Sequence, residues 1–136
     1  MKSDSIKPQY KIWLSTDTGE GIMGDGKWQI LKAIEKTGSL MAATESLGLT
    51  YRRTWGDLKK IEEQLGFQLL DKSRGGKDGG TSTLTPEGKR LVEAFDNLHA
   101  RVDGVIQQAF KDFMHEITSE IQDSIDLHTT KTIKDE

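Results

Sequence analysis

Apolar and polar positions alternate near the start of the chain and then change to a helical spacing. Residues 10–15 alternate and are rich in strand-forming side chains, and residues 21–23 can return as a second strand. Gly24-Asp25-Gly26 then interrupts the chain, and Asp25 is a candidate helix N-cap. The apolar spacing that follows predicts a first helix over about 26–36.

Two further helices are predicted with a short turn between them. Gly38 suits the end of the first helix, and Ser39 suits the N-cap of a second helix over about 40–46. Residues 47–50 form the turn, with Thr at its last position as the next N-cap, and a third helix runs over about 51–65. Two helices joined by a four-residue turn that contains Gly are typical of a helix-turn-helix.

A second hairpin and a long helix complete the pattern. Residues 68–73 and 81–84 are predicted strands around a glycine-rich tip at 74–80. Thr85-Pro86 is an N-cap followed by Pro at the first helical position, and the last helix is predicted from 86 to about 120. The predicted fold is therefore mainly α with small β: a winged helix-turn-helix with an N-terminal β-hairpin and a long C-terminal dimerisation helix.

The third helix is amphipathic, and its outward face is basic. At 100° per residue, Tyr51, Trp55 and Leu65 fall on the apolar side, while Arg52 and Lys60 fall opposite. Arg and Lys on such a face can reach phosphates or guanine edges in a major groove. A solvated amphipathic helix is the plainer alternative. The candidate DNA-contacting residues, including the tip of the hairpin, are Ser39, Thr50, Tyr51, Arg52, Arg53, Gly56, Lys59, Lys60, Arg74 and Lys77.

Charge is segregated along the chain. The formal net charge is −3 overall, from −1 over residues 1–26, +4 over 27–90 and −6 over 91–136. A basic middle beside an acidic helix fits a nucleic-acid reader with a separate assembly element. The same acidity also fits a non-catalytic winged-helix protein-interaction module that does not bind DNA, so both interpretations stay open.

Several classes of protein are not expected. The chain has 0 Cys, which excludes disulfide scaffolds and thiolate zinc sites. Asp96 with His99, and Asp112 with His115, are pairs of ligand-type side chains, but each pair supplies only two ligands, so we expect no metal site. We also expect no enzyme activity and no cofactor. Without an apolar run or signal peptide, a cytoplasmic protein with no membrane partner is expected.

The last helix carries an apolar stripe longer than one small domain can cover, which predicts a homodimer. The predicted domains are a tail at 1–9, the winged domain at 10–90, the dimerisation helix at 91–121 and a frayed tail at 122–136. A two-fold dimer would present its two third helices to half-sites about 34 Å apart or a multiple of that. The stripe consists of Leu91, Phe95, Leu98, Val102, Val105, Ile106, Ala109, Phe110, Phe113 and Ile117.

Two stretches resemble known regulators. Residues 39–50, followed by Leu58, Ile61-Glu62 and Leu84-Thr85-x-x-Gly88, resemble the helix-turn-helix of LysR-type regulators. Tyr51-Arg52-Arg53-Thr54-Trp55 and Gly75-Gly76-Lys77-Asp78-Gly79-Gly80 are similar to the N-terminal domain of the molybdate-responsive regulator (ModE) family.

This resemblance implies a dimeric winged-helix transcription regulator that contacts double-stranded DNA through residues 50–53 and the wing around Lys77. Asp78 and Gly56 depart from the family's pattern, which often has Gly and Asp there. Members of the family carry C-terminal molybdate-binding repeats, whereas this sequence ends in a helix and tail. We therefore expect no oxyanion sensing from these residues, and they do not identify an effector.

Overall fold

The computed structural model describes residues 5–72 and 82–134. The chain divides into two compact units: Lys11–His99, and Met1–Tyr10 with Ala100–Glu136. The elements in chain order are β1 (Trp13–Ser15), β2 (Gly21–Gly24), α1 (Asp25–Thr37), α2 (Leu40–Leu47), α3 (Tyr51–Leu65), β3 (Leu70–Lys72), β4 (Ser82–Leu84) and α4 (Pro86–Lys134). This order confirms the predicted winged helix-turn-helix with a long last helix.

The first hairpin passes directly into a helix. β1 and β2 pair antiparallel, with Trp13 opposite Gly24. Gly24, not Asp25, is the N-cap of α1, so the predicted interruption of the chain and the predicted cap are both wrong. The Asp25 carboxylate instead accepts a hydrogen bond from the backbone N–H of Ile12 at 3.3 Å. It therefore ties the start of the helix to the segment before β1.

The helix-turn-helix forms where the caps predict it. Gly38 ends α1 with φ 91°, and the Ser39 hydroxyl oxygen accepts a hydrogen bond from the Ala42 N–H at 3.0 Å. Gly48 ends α2 with φ 67°, a left-handed conformation that strains residues with a Cβ. Thr50 occupies the N-cap position of α3, as predicted, although its side chain makes no capping hydrogen bond.

One apolar core holds the helices of this unit together. Residues from α1, α2 and α3, together with the residue before β3, have side chains that are 0–1% exposed. Val92 and Phe95 of α4, at 3% and 2% exposed, belong to the same core. Because these side chains come from every helix of the unit, the core orients α3 relative to its neighbours. The most deeply buried members are Leu31, Ile34, Leu40, Leu58, Ile61 and Leu69.

The second hairpin leads into α4 through a capped turn. β3 and β4 pair antiparallel with Leu70 opposite Leu84, and β3 begins two residues later than predicted. The Thr85 hydroxyl accepts a hydrogen bond from the Gly88 N–H at 2.9 Å and donates one to the Gln68 carbonyl at 2.6 Å. These bonds confirm Thr85 as the N-cap and join α4 to the segment before β3.

α4 is longer than the sequence pattern predicted. It continues to Lys134, so the predicted end near residue 120 is wrong. The chain contains no Gly or Pro after Gly104, so the two residue types that oppose a helix most strongly are absent there. Side chains one turn apart also pair along the exposed surface, as in the hydrogen bond from Gln122 to Asp126 at 3.1 Å.

Candidate nucleic-acid interface

α3 has the two faces that its spacing predicts. Thr54 and Leu58 are 4% and 0% exposed, whereas Arg52, Arg53 and Lys60 are exposed. Gly56 lies among these cations, and a Cβ built on it would meet nothing within 4 Å. The outer surface of α3 therefore presents three cationic side chains around a stretch of bare backbone. We call these four residues the basic face.

Lys59 is committed to its own helix. Its ammonium lies 3.1 Å from Glu62 Oε1 and 5.5 Å from the centroid of the Trp55 ring. Glu62 is only 9% exposed, so Lys59 supplies the cation that this nearly buried carboxylate needs. Lys59 remains a predicted DNA contact, but unlike the cations of the basic face it would have to leave the Glu62 carboxylate to bind a phosphate.

The other predicted contacts lie in different environments. Thr50 is exposed at the start of α3, while Tyr51 is half-buried against the core. Trp55 is also partly buried against the core, as expected from the spacing. Ser39 is 9% exposed and its hydroxyl caps α2, so this side chain is nearly buried and already bonded within its own helix.

Two predicted contacts in the wing are not part of the described structure. Arg74 and Lys77 lie in the segment 73–81, outside the described residues, so their contact with DNA stays a prediction from the sequence.

An ion pair that the sequence pattern did not reveal borders the basic face. Lys27 Nζ of α1 lies 2.8 Å from Asp57 Oδ2 of α3, and both side chains are about one-third exposed, at 35% and 36%. The hydrogen bond from Lys27 lowers the pKa of the Asp57 carboxyl, and the charges of Lys27, Arg53 and Lys60 act in the same direction against the effect of burial. An acidic residue between basic ones was the only signal in the sequence.

A second contact secures the same flank of α3. The Gln64 side chain donates a hydrogen bond to the backbone carbonyl of Gly21 at 3.1 Å. With the Lys27–Asp57 pair, this bond ties one side of α3 to β2 and α1. A hollow beside the first turns of α3 is lined by Lys27, Gly48, Leu49, Thr50, Arg53 and Asp57.

The Asp96 and His99 pair serves the packing of α4 on α1. Asp96 Oδ1 accepts a hydrogen bond from Trp28 Nε1 at 2.7 Å, and the His99 ring stacks on Trp28 at a centroid distance of 4.8 Å. The Lys32 ammonium also lies over the Trp28 ring, 4.5 Å from its centroid. Within residues 5–72 and 82–134, no three His, Asp or Glu side chains are grouped to hold a metal ion.

The predicted dimerisation residues differ in exposure. Phe95 is 2% exposed and packs 5.3 Å from Trp28, so it belongs to the core of its own unit, and its assignment to the dimer seam is wrong. Leu91 is partly buried against the same core. Others remain available along α4: Leu98, Val105 and Phe113 are exposed by 38%, 69% and 51%. Ala109 is exposed, and the half-buried members are Val102, Ile106, Phe110 and Ile117.

The apolar surface of α4 also continues beyond the predicted seam. Ile121, Ile125 and Leu127 are 46%, 52% and 71% exposed. None of the helices in the described part of the chain combines the length and apolar character needed to cross a bilayer.

Comparison with known proteins identifies the domain. Residues 26–89 match the family model described as bacterial regulatory helix-turn-helix protein, lysR family. The chain is 35% identical over 80 residues to the molybdenum-pterin-binding protein MopB of Rhodobacter capsulatus, covering 59% of this chain and 30% of MopB. It is 29% identical over 122 residues to the molybdenum transport protein ModE of Azotobacter vinelandii, covering 79% of this chain and 45% of that protein.

A third relative has a name that states its role. The DNA-binding transcriptional dual regulator ModE of Escherichia coli K12 is 30% identical over 91 residues, covering 66% of this chain and 35% of ModE. The chain thus spans less than half the length of each of these three relatives. Residues 26–89 therefore correspond to a helix-turn-helix domain of the kind that this lysR-family model describes.

Proposed function

We propose that this chain is a sequence-specific double-stranded DNA-binding transcriptional regulator that acts as a homodimer. The observation that carries the proposal is the exposed basic face of α3, within a domain that matches a family of bacterial regulators. The domain is similar to the DNA-binding regulator ModE, and the proposal assigns no molybdate site to these 136 residues.

Base and phosphate contacts come from different parts of the surface. Thr50 lies at the N-cap of α3, and Arg52 and Arg53 lie in its first turn. This end of the helix enters the major groove in helix-turn-helix complexes, and the three residues read base edges. Lys60 lies further along the helix and binds phosphates. Arg74 and Lys77 of the wing follow the DNA backbone, as their positions in the sequence predict.

Pairing through α4 supplies the second copy of the basic face. Val105 and Phe113 are exposed by 69% and 51% in the single chain. Burial of apolar surface stabilises an assembly by about 25 cal/mol per Å², so packing of this stripe against a second helix is favoured over its exposure to water. A second copy offers the same stripe by symmetry.

A salt titration tests DNA binding. We expect duplexes selected from a random library to bind with a steep linear fall of log affinity against log salt concentration. Arg52→Ala should lose about 1–3 kcal/mol of binding free energy on the selected duplex and little on a scrambled one. Arg101→Ala, which removes an exposed cation from α4, is the matched control and should bind the selected duplex like the wild type. Lys77→Ala should weaken all duplexes alike and lower the salt slope by about one.

The outcomes separate the alternatives. No binding to any duplex at low salt would defeat the DNA proposal and favour a protein-interaction module, the reading that the net charge of −6 over residues 91–136 supports. Sedimentation of the wild type as a monomer at micromolar concentration would remove the dimer. Val105→Asp should dissociate the dimer, while Gln107→Asp, exposed on the opposite side of α4, should not.

A further inference from the structure

Asp57 is an acidic side chain at the edge of a basic surface. On α3 it lies one turn from Arg53 and three residues from Lys60, and the charges of both act on its carboxylate. Lys27 of α1 holds its Oδ2 at 2.8 Å. Asp57 therefore faces the same side of the domain as two members of the basic face and does not point into the core.

The hydrogen bonding of this carboxylate leaves one oxygen available. Among the residues that the structure describes, Oδ2 accepts the hydrogen bond from Lys27, and none donates to Oδ1. The side chain is 36% exposed. Because Lys27 belongs to another helix, the ion pair limits the rotation of the carboxylate and keeps it in a defined position beside α3. The group is thus a fixed acceptor with an unused oxygen.

A fixed carboxylate on a DNA-binding surface has two physical effects. It repels phosphates, which lowers the affinity for every duplex that is bound through the backbone alone. It also accepts hydrogen bonds, and in the major groove the cytosine N4 amino group is the donor suited to Asp or Glu. Both effects raise the ratio of specific to non-specific affinity.

We propose that Asp57 is a specificity-determining residue, whose carboxylate, held by Lys27 beside Arg53, selects a cytosine in the groove and opposes binding through phosphates alone. The inference rests on the proposed DNA-binding function. It adds to that function a group that disfavours binding to the wrong sequence, which the basic residues of the same helix cannot do.

The test compares selected sequences and non-specific affinity. The 136-residue chain is used as the wild type and with each of three substitutions: Asp57→Asn, Lys27→Met and Glu63→Gln. Each protein selects from a random 30-base-pair library and is titrated with a scrambled duplex. Asp57→Asn should lose the preference for a C·G pair at one position of each half-site. It should bind the scrambled duplex about tenfold more tightly at 0.1 M salt, the effect of one additional effective positive charge.

The two other variants separate the carboxylate from its surroundings. Lys27→Met removes the ion pair but retains the carboxylate, which is then free to rotate, so the C·G preference should weaken but remain at the same position. Its complete loss in Lys27→Met would show that the ion pair acts only on the structure, and would overturn the proposal. Glu63→Gln removes an exposed carboxylate near the C-terminal end of α3, beyond the turns that enter the groove, and should leave the selected sequence unchanged. Thermal melting of each variant checks that it is folded.

Failure of this inference is distinguishable from failure of the proposed function. If the wild type and Asp57→Asn select the same sequence with equal preference at every position, Asp57 plays no part in specificity and DNA binding stands. If the wild type selects no sequence and binds no duplex, both proposals are overturned.

Discussion

Replacement of Gly56 by Ala separates the stability of α3 from its approach to DNA. A Cβ at Gly56 meets no atom within 4 Å, so the methyl group introduces no clash inside the protein. Gly in a helix interior costs about 0.8–1.0 kcal/mol relative to Ala. Gly56→Ala should therefore increase the free energy of unfolding by about 0.8 kcal/mol and raise the melting temperature by about 3–5 °C.

The same substitution should weaken DNA binding. If the bare backbone at Gly56 lies against the duplex, the added methyl group is overpacked there at a cost of about 1–3 kcal/mol, which corresponds to about 5- to 150-fold in affinity. Fluorescence anisotropy with the selected duplex measures this change, and urea unfolding measures the stability.

Gly104→Ala is the matched control for both measurements. Gly104 is also helical and exposed, and a Cβ there meets nothing within 4 Å. It should show the same stabilisation with unchanged DNA affinity. A Gly56→Ala variant that gains stability and binds DNA as tightly as the wild type would refute the close approach of the helix backbone. A variant with no gain in stability would refute the argument from helix propensity.

Two further predictions concern the packing of this unit. Gly88→Ala places a Cβ 2.7 Å from the backbone carbonyl oxygen of Leu69, which resists displacement because it also accepts a hydrogen bond from the Thr85 N–H at 2.9 Å. We expect the free energy of unfolding, measured in urea, to fall by about 1–3 kcal/mol. An unchanged unfolding midpoint would contradict this packing. The lowered pKa of Asp57 means that its contribution to stability is present above the ordinary pKa of Asp and is lost as the pH falls through the lowered value. The difference in melting temperature between the wild type and Asp57→Asn should therefore shrink as the pH falls below about 4, whereas a difference that grows in acid would have the wrong sign.

The local features of the helix-turn-helix could be predicted from the sequence because they depend on neighbouring residues. Ser39 caps α2 by bonding an N–H three residues ahead, and Gly66 ends α3 in a left-handed conformation. The side chains at Thr54 and Leu58 are buried because the apolar spacing of α3 leaves one face to the core. The length of α4 also depended on local information, since no breaker follows Gly104, but the predicted end near residue 120 overlooked it.

Contacts between residues far apart in the chain could not be predicted from the sequence. Lys27 and Asp57 are 30 positions apart, and the sequence does not state that α1 and α3 bring them to 2.8 Å. Phe95 fits the spacing of an exposed seam, yet it lies in the core beside Trp28. An apolar residue on a helix can be covered by its own domain or by another chain, and only the arrangement of the helices decides between the two.

The order of residues by itself determined the succession of elements, the N-caps of α2 and α4 and the division of α3 into an apolar and a basic side, because hydrogen bonds and helical periodicity act over a few residues. The tertiary structure alone decided which cations remain available. It pairs Lys27 of α1 with Asp57 of α3 and leaves Arg52 and Arg53 exposed. The energy of a charge depends on the groups within a few ångströms of it, and in a folded chain those groups come from other helices.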